Sequence, residues 1–268
     1  MLFSKIRTAF AALTIIFALA WAAYAGQIKP PSLQIKVLFD NLNYSEQLES
    51  AWGFSCLIEG GPQVILFDTG SSGRILLANM KKLGIEPGKI DAVFLSHIHG
   101  DHTGGLVALL QANPRVTVYL PASFPASFRD TVAARGSRFK LLEKPEKLFD
   151  RVYTTGELGS WTKEQSLVID TPQGLVIITG CAHPGIVRIV RQAKNRLHKE
   201  TYLVMGGLHL AGQPAEELRR VAGELQQLGV QKVAPSHCTG DAARKVFQDR
   251  WGSNFVASGV GAVIVVGP

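Results

Sequence analysis

The stretch "FLSHIHGDHTGGL", Phe94–Leu106, decides how the rest of the chain is read. It places His97, His99, Asp101 and His102 within six positions, in a chain with only seven histidines. The apolar run before it, "DAVFLS" (91–96), has the composition and length of a buried strand. Side chains at i and i+2 of an extended chain point the same way, so His97 and His99 are expected to project together from the strand's end. Gly104 and Gly105 then let the chain turn into a helix, with Asp101 and His102 on the turn. The pattern offers two imidazoles for one metal ion, and a carboxylate plus an imidazole for a neighbouring one. Such donors suit Zn, Mn or Fe. We therefore expect two divalent transition ions, Zn foremost, with Mn or Fe as alternatives.

Each ion needs further ligands, and three later segments offer them: "GCAHPG" with His183, "GGLHL" with His209 and "PSHCTG" with His237. All three follow a predicted strand and lie beside Gly, Pro or Ser, where binding residues collect. His198, in "NRLHKE", reads as an ordinary surface histidine. Of the three cysteines, Cys56 reads as core. Cys181 and Cys238 each stand within two residues of a histidine, and three cysteines make no disulfide framework.

Outward from there, strands are expected at 33–39, 54–59, 63–68, 115–120, 166–170, 174–180, 201–207 and 262–266, bounded by Gly, Pro or Asn. "EGGPQ" and "TPQG" are hairpin signals. Ile186, Ile189, Val190, Ala193 and Leu197 mark one helix stripe. Leu218, Val221, Leu225 and Leu228 mark another, with Pro214 in its first turn and Gly229 as its stop. Further helices are expected at 73–83, 104–112 and 240–249. The pattern implies two mostly antiparallel sheets packed together with helices outside. Residues 120–149 are expected to form a surface segment near the site that shapes specificity.

The start of the chain reads differently. Lys5 and Arg7 precede the apolar run "AFAALTIIFALAWAAYA", which ends in Ala23-Tyr24-Ala25. This is the layout of a signal peptide cleaved after Ala25, with an uncleaved anchor as the alternative. The expected organisation is a signal peptide over 1–25, a short leader over 26–32 and one domain over 33–268, periplasmic or secreted. The formal net charge of +7 favours an anionic small-molecule substrate. It is not a nucleic-acid footprint, because no basic run with interleaved aromatics accompanies it. No membrane contact is expected after cleavage.

"SHIHGDHTGG", with "LFDTG" (66–70) upstream, resembles the motifs of the metallo-β-lactamase superfamily. "LFDN" (38–41), "GFSCLIE" (53–59), "DTPQGLVIITGCAHPGI", "GGLHL" and "PSHCTG" resemble more narrowly the subgroup containing a 7,8-dihydropterin-6-methyl-4-(β-D-ribofuranosyl)aminobenzene 5′-phosphate synthase. The resemblance covers nearly all of 33–268. It implies an α/β fold, the four-layer αβ/βα sandwich, with the metals at one edge of the two sheets. It implies that His97, His99 and His183 hold one metal and that Asp101, His102 and His237 hold the other. It also implies that Asp68 orients a ligating histidine. Cys181 stands where most of that superfamily has a bridging aspartate. It could bridge as thiolate, it could be a buried thiol, or His183 and His209 could replace the missing groups.

The expected activity is that of an exported dinuclear metal-dependent hydrolase cleaving a phosphoester or lactone-type bond with a metal-activated water. Asp101 would then be ligand and proton acceptor, and His209 the group that protonates the leaving oxygen or holds the substrate. The alternatives are a transferase of the synthase type and a metal- or ligand-binding module without turnover.

Overall fold

The apolar segments pair into two sheets. The computed structural model describes residues 32–267; the expected signal peptide over 1–25, its cleavage point after Ala25 and all but the last residue of the leader lie outside these residues. In chain order the strands are β1 (Leu33–Phe39), β2 (Ser55–Glu59), β3 (Ile65–Phe67), β4 (Ala92–Phe94), β5 (Thr117–Pro121), β6 (Arg138–Leu142), β7 (Glu146–Phe149), β8 (Val152–Thr154), β9 (Leu167–Thr171), β10 (Gly174–Thr179), β11 (Thr201–Gly207), β12 (Lys232–Ser236) and β13 (Val263–Val266). The helices are α1 (Gly73–Lys82), α2 (Gly100–Thr103), α3 (Leu106–Ala112), α4 (Ala126–Ala133), α5 (Ile186–Leu197), α6 (Ala215–Gln227) and α7 (Asp241–Trp251).

One sheet has the order β13-β1-β2-β3-β4-β5-β6 and the other β12-β11-β10-β9-β8-β7. Their facing surfaces form one core from Ile35, Val37, Phe54, Phe67 and Phe94 on one side and Leu167, Val176, Ile178 and Met205 on the other. Burying a side chain of this size contributes about 1.5–3 kcal/mol. The outer face of the first sheet is covered by α1, α3 and α4 through residues such as Leu76, Met80, Leu109, Leu110 and Val132. The outer face of the second is covered by α5, α6 and α7. The expected stripe of α5 is buried, apart from a partly buried Leu197. Gly229, at φ 77, lies just past the end of α6 as expected. The result is the four-layer α/β sandwich, helices on each outer face and the two sheets between them.

The sheets are mixed and not mostly antiparallel, which corrects the reading from the sequence. Strands β3, β4, β5 and β6 run parallel to one another, as do β10, β11 and β12. Both expected hairpins form, β2 with β3 and β9 with β10. Strands β6, β7 and β8 are short, and β6 and β7 are charged edge strands without the apolar run that marks a central one. Strand β12 carries Pro235, tolerated because it lies at a sheet edge. Residues 120–149 are mostly exposed or half-buried, as expected of a surface segment, and they also supply α4 and one edge strand of each sheet, β6 and β7. Among the described residues no helix is long and apolar enough to cross a membrane.

Candidate metal centre

The strand directions bring the site together. Strand β1 is antiparallel to β2, and β2 to β3, so β1, β3 and β4 all point the same way. Strands β10, β11 and β12 point together in the other sheet. Asp40 and Asn41 follow β1, Asp68 follows β3, and His97 follows β4. Cys181 and His183 follow β10, His209 follows β11, and His237 follows β12. Every one of these residues sits just beyond the C-terminal end of its strand, where ligands bind in open α/β sheets. The two sheets approach closely there. A Cβ on Gly180 would lie 2.1 Å from Ser96 Oγ, so only glycine fits.

The expected ligands converge on Cys181. Donor atoms of His97, Cys181 and His183 lie within 4.8 Å of one another, and so do those of His102, Cys181 and His237. His99 Nδ1 is 3.1 Å from His97 Nε2. His102 Nε2 is 3.2 Å from His237 Nε2 and 3.3 Å from Cys181 Sγ. Asp101 Oδ2 lies 3.6 Å from His102 Nε2 and 3.4 Å from His237 Nε2. Asp101, His102 and His237 therefore form one cluster, His97, His99 and His183 the other, and Cys181 belongs to both.

Side-chain partners behind the rings fix which nitrogen faces the centre. His102 Nδ1 donates to Asp68 Oδ2 at 2.7 Å. His97 Nδ1 lies 2.9 Å from Ser96 Oγ, which donates to Asp68 Oδ2. His183 Nδ1 donates to Glu164 Oε2 at 2.8 Å, and His237 Nδ1 donates to Asn41 Oδ1 at 2.9 Å. With each Nδ1 proton engaged in this way, Nε2 presents a lone pair. Lone pairs of His102 and His237 facing each other at 3.2 Å repel unless a cation lies between them. Two nitrogens on one tetrahedral ion are about 3.3–3.4 Å apart, from Zn–N bonds of about 2.0–2.1 Å. The observed spacings match this, and the donor set fits a pair of divalent transition ions.

The "LFDTG" motif has a physical reading. Asp68 holds the His102 ring, while Thr69 donates to the His102 carbonyl through both N–H and Oγ1, at 2.7 and 2.9 Å. Asp68, Ala182, His209 and His237 all have positive φ, between 50° and 58°. That region is unfavourable for residues other than glycine, and its concentration here is characteristic of functional sites.

Electrostatics follow from burial. Burial and the neighbouring His102 hold His97 down to about 3, and burial with His237 holds His102 down to about 4. Both are neutral imidazoles at pH 7, the form that ligates metal. Burial opposes ionisation of Asp101, but the His237 and His102 imidazoles beside its carboxylate outweigh it and keep it below the ordinary value. Burial pushes Asp68 up to about 7, offset in part by His97 and Ser96.

Glu164 is the largest omission from the sequence reading. Its side chain is fully buried and accepts from the N–H groups of Cys181, Ala182 and His183 as well as from the His183 ring. Burial opposes its charge, yet His183 and His97 hold it down to about 2. One carboxylate thus shapes the whole "GCAHPG" turn. Asn41, within the quoted "LFDN", Ser96 and Trp52 were likewise not assigned; the Trp52 ring lies 4.9 Å from that of His237. Glu164→Gln is expected to weaken metal binding about 10–100-fold, because the amide cannot accept all four donors. Titration of the metal-free protein against a competing chelator measures this; unchanged affinity contradicts the assignment.

His209 is exposed, with its ring 4.5 Å from that of His183. It sits beside the cluster on its solvent side. Cys56 is core, and His198 is exposed at the end of α5, both as expected.

Fold and donor cluster together define a metallo-β-lactamase-type chain. The chain belongs to the metallo-beta-lactamase superfamily, whose family model matches residues 53–197. It is 31% identical over 274 residues to the 7,8-dihydropterin-6-methyl-4-(beta-D-ribofuranosyl)-aminobenzene-5'-phosphate synthase of Methanocaldococcus jannaschii, covering 84% of this chain and 93% of the relative. Among solved structures, Tm1679, described as a metal-dependent hydrolase of the beta-lactamase superfamily, superposes with a TM-score of 0.75 at 26% identity, over 88% of this chain and 100% of that one. The short form of human tRNase Z shares the fold, with a TM-score of 0.60 at 15% identity over 86% of this chain and 98% of its own.

Proposed function

We propose that the chain is a dinuclear metal-dependent enzyme acting on a small anionic substrate, by transfer chemistry of the synthase type. Hydrolysis of a phosphoester or lactone is the second reading. The observation that carries the proposal is the convergence of two histidine clusters on Cys181, with Asp101 between His102 and His237. The preference for transfer over hydrolysis rests on likeness along almost the whole length of the synthase relative. Hydrolysis keeps the support of the structural relative described as a hydrolase.

A bound pair of ions, Zn foremost, would polarise a substrate oxygen, which serves either reaction, and would lower the pKa of coordinated water toward about 7, which serves hydrolysis. His97, His99 and His183 would hold one ion, Asp101, His102 and His237 the other, and Cys181 both. Asp101, kept ionised and partly exposed, is placed to accept a proton at its carboxylate. His209, exposed beside His183, is placed to donate one to a leaving oxygen or to hold an anionic group. Trp52 is 56% exposed and Ile98 39% exposed; Trp161, at the tip of the hairpin whose base carries Glu164, is 99% exposed. The exposed Trp52 indole, 4.9 Å from the His237 ring, suits stacking with the planar ring of an aromatic substrate, which favours the transfer reading.

Export remains part of the proposal through the leader-like residues 1–25. An exported enzyme would act on a substrate of the same chemistry from outside the cytoplasm.

The test incubates metal-loaded protein with 4-(β-D-ribofuranosyl)aminobenzene 5′-phosphate and a dihydropterin carrying an activated 6-methyl group. In parallel it is given chromogenic phosphodiesters and lactones. Transfer predicts a coupled product by mass spectrometry, lost with chelator and restored by Zn(II). Cleavage of the chromogenic esters without coupling moves the assignment to hydrolysis. Inactivity on every substrate with the metals loaded contradicts both.

A further inference from the structure

We propose a third metal position beside the pair, built by Cys181, Cys238 and His209 and open to solvent at the imidazole. It rests on the dinuclear reading, since Cys181 is common to all three donor groups. The two sulfurs and a His209 ring nitrogen lie within 4.8 Å of one another. Cys181 and Cys238 are buried at 4% and 6% exposure, whereas His209 is exposed. Neither histidine cluster of the pair includes Cys238, so its thiol is a buried nucleophilic group left over once the pair is assigned.

The surrounding backbone is shaped to hold the sulfur there. The turn His237–Thr239 follows β12 and lies against the end of β11. Thr239 Oγ1 accepts from the Leu208 N–H at 3.1 Å and donates to the Ser236 carbonyl at 2.7 Å, tying "PSHCTG" to "GGLHL". The His209 N–H then donates to Cys238 Sγ at 3.3 Å. A Cβ at Gly207 would stand 2.7 Å from that sulfur and 3.2 Å from Cys181 Cα. Glycine at this position keeps open the space in which the two cysteines meet. His209 itself occupies the left-handed region at φ 52, a conformation unfavourable for a residue with a side chain.

Two sulfurs and one imidazole form a soft donor set. Such a set selects Zn(II), Cd(II) or Cu(I) over Mg(II), Ca(II) or Mn(II). Three protein ligands leave a fourth position for water or another small ligand, as in three-ligand zinc sites. Occupancy has a consequence for the neighbouring centre. An ion on His209 takes that imidazole away from substrate, so an excess of soft metal turns the enzyme down while the pair stays filled.

The experiment uses the full chain, reduced with a phosphine and stripped of metal, then titrated with Cd(II) alone and with Co(II) alone. Bound ions per chain are counted after desalting. The near-ultraviolet thiolate-to-Co(II) absorption is recorded beside the count. Wild type is expected to hold one ion more than Cys238→Ser and one more than His209→Ala, with the thiolate absorption weakened in Cys238→Ser. His209 is exposed, so His209→Ala keeps the count decisive even if Cys238→Ser fails to fold. Equal counts in wild type and His209→Ala overturn the proposal and leave the pair intact. A Cys181–Cys238 disulfide in the isolated protein, two hydrogens lighter by mass, with no extra ion bound after reduction, also overturns it. Absence of all bound metal from wild type removes the pair and the third position together.

Discussion

Replacing His102 by Ala is expected to remove at least one bound ion and to lower turnover by about 10³-fold or more, since the ion that would polarise the reacting substrate oxygen is lost. His102 stands at the crowded side of the centre. Its Nε2 faces His237 Nε2 at 3.2 Å and Cys181 Sγ at 3.3 Å, while Asp101 Oδ2 lies 3.6 Å away. Its Nδ1–H donates to Asp68, which has no exposure to water. Truncation therefore removes a ligand and strips a buried carboxylate of one donor. The second effect costs about 1–3 kcal/mol of stability, visible as a lower thermal midpoint. Asp68→Asn separates the two effects. It keeps the ring as ligand but loses the carboxylate behind it, so metal affinity should fall about 10–100-fold without elimination of the site. Elemental analysis, thermal melts and turnover on each variant check this. Full metal content and activity in His102→Ala would show that the ring is structural.

Cys181→Ala carries the second large effect. If Cys181 is the ligand common to both clusters, its removal should weaken both ions together, by about 10²-fold or more, beyond the range typical of a supporting partner. The near-ultraviolet thiolate absorption of the Co(II)-loaded protein should decline with it. A buried thiol that only packs behaves otherwise. It is a small hydrophobe, and replacing it by Ala would cost a modest amount of stability with the metal content unchanged. Competition against a chelator and the absorption spectrum distinguish the two outcomes without any assay of turnover.

The site was legible in the sequence where its logic is local. His97, His99, Asp101 and His102 lie within six residues, and the turn between them is set by neighbouring glycines. His183 and His237 were legible one step further, because each follows an apolar run that ends a strand. Glu164 was not. It is one acid in "WTKEQSLVID", and its importance arises only when β9 and β10 pair and bring it to the N–H groups of residues 181–183. Asn41 was visible only as part of "LFDN", since its partner His237 lies 196 residues away. The strand directions were hidden for the same reason. An apolar run looks alike in a parallel and an antiparallel pair when helices cover its outer face. Edge strands β6 and β7 escaped because exposed charge replaces apolar pattern at a sheet edge.

Anomalous diffraction from crystals of the purified, metal-loaded chain, recorded on either side of the metal's absorption edge, tests the ion-pair assignment most directly. Two peaks flanking Cys181 are expected, one among His97, His99 and His183 and the other among Asp101, His102 and His237, at about 2.0–2.3 Å from the donor atoms. Protein that turns over substrate with no peak at those side chains, or with its only metal elsewhere, would contradict it.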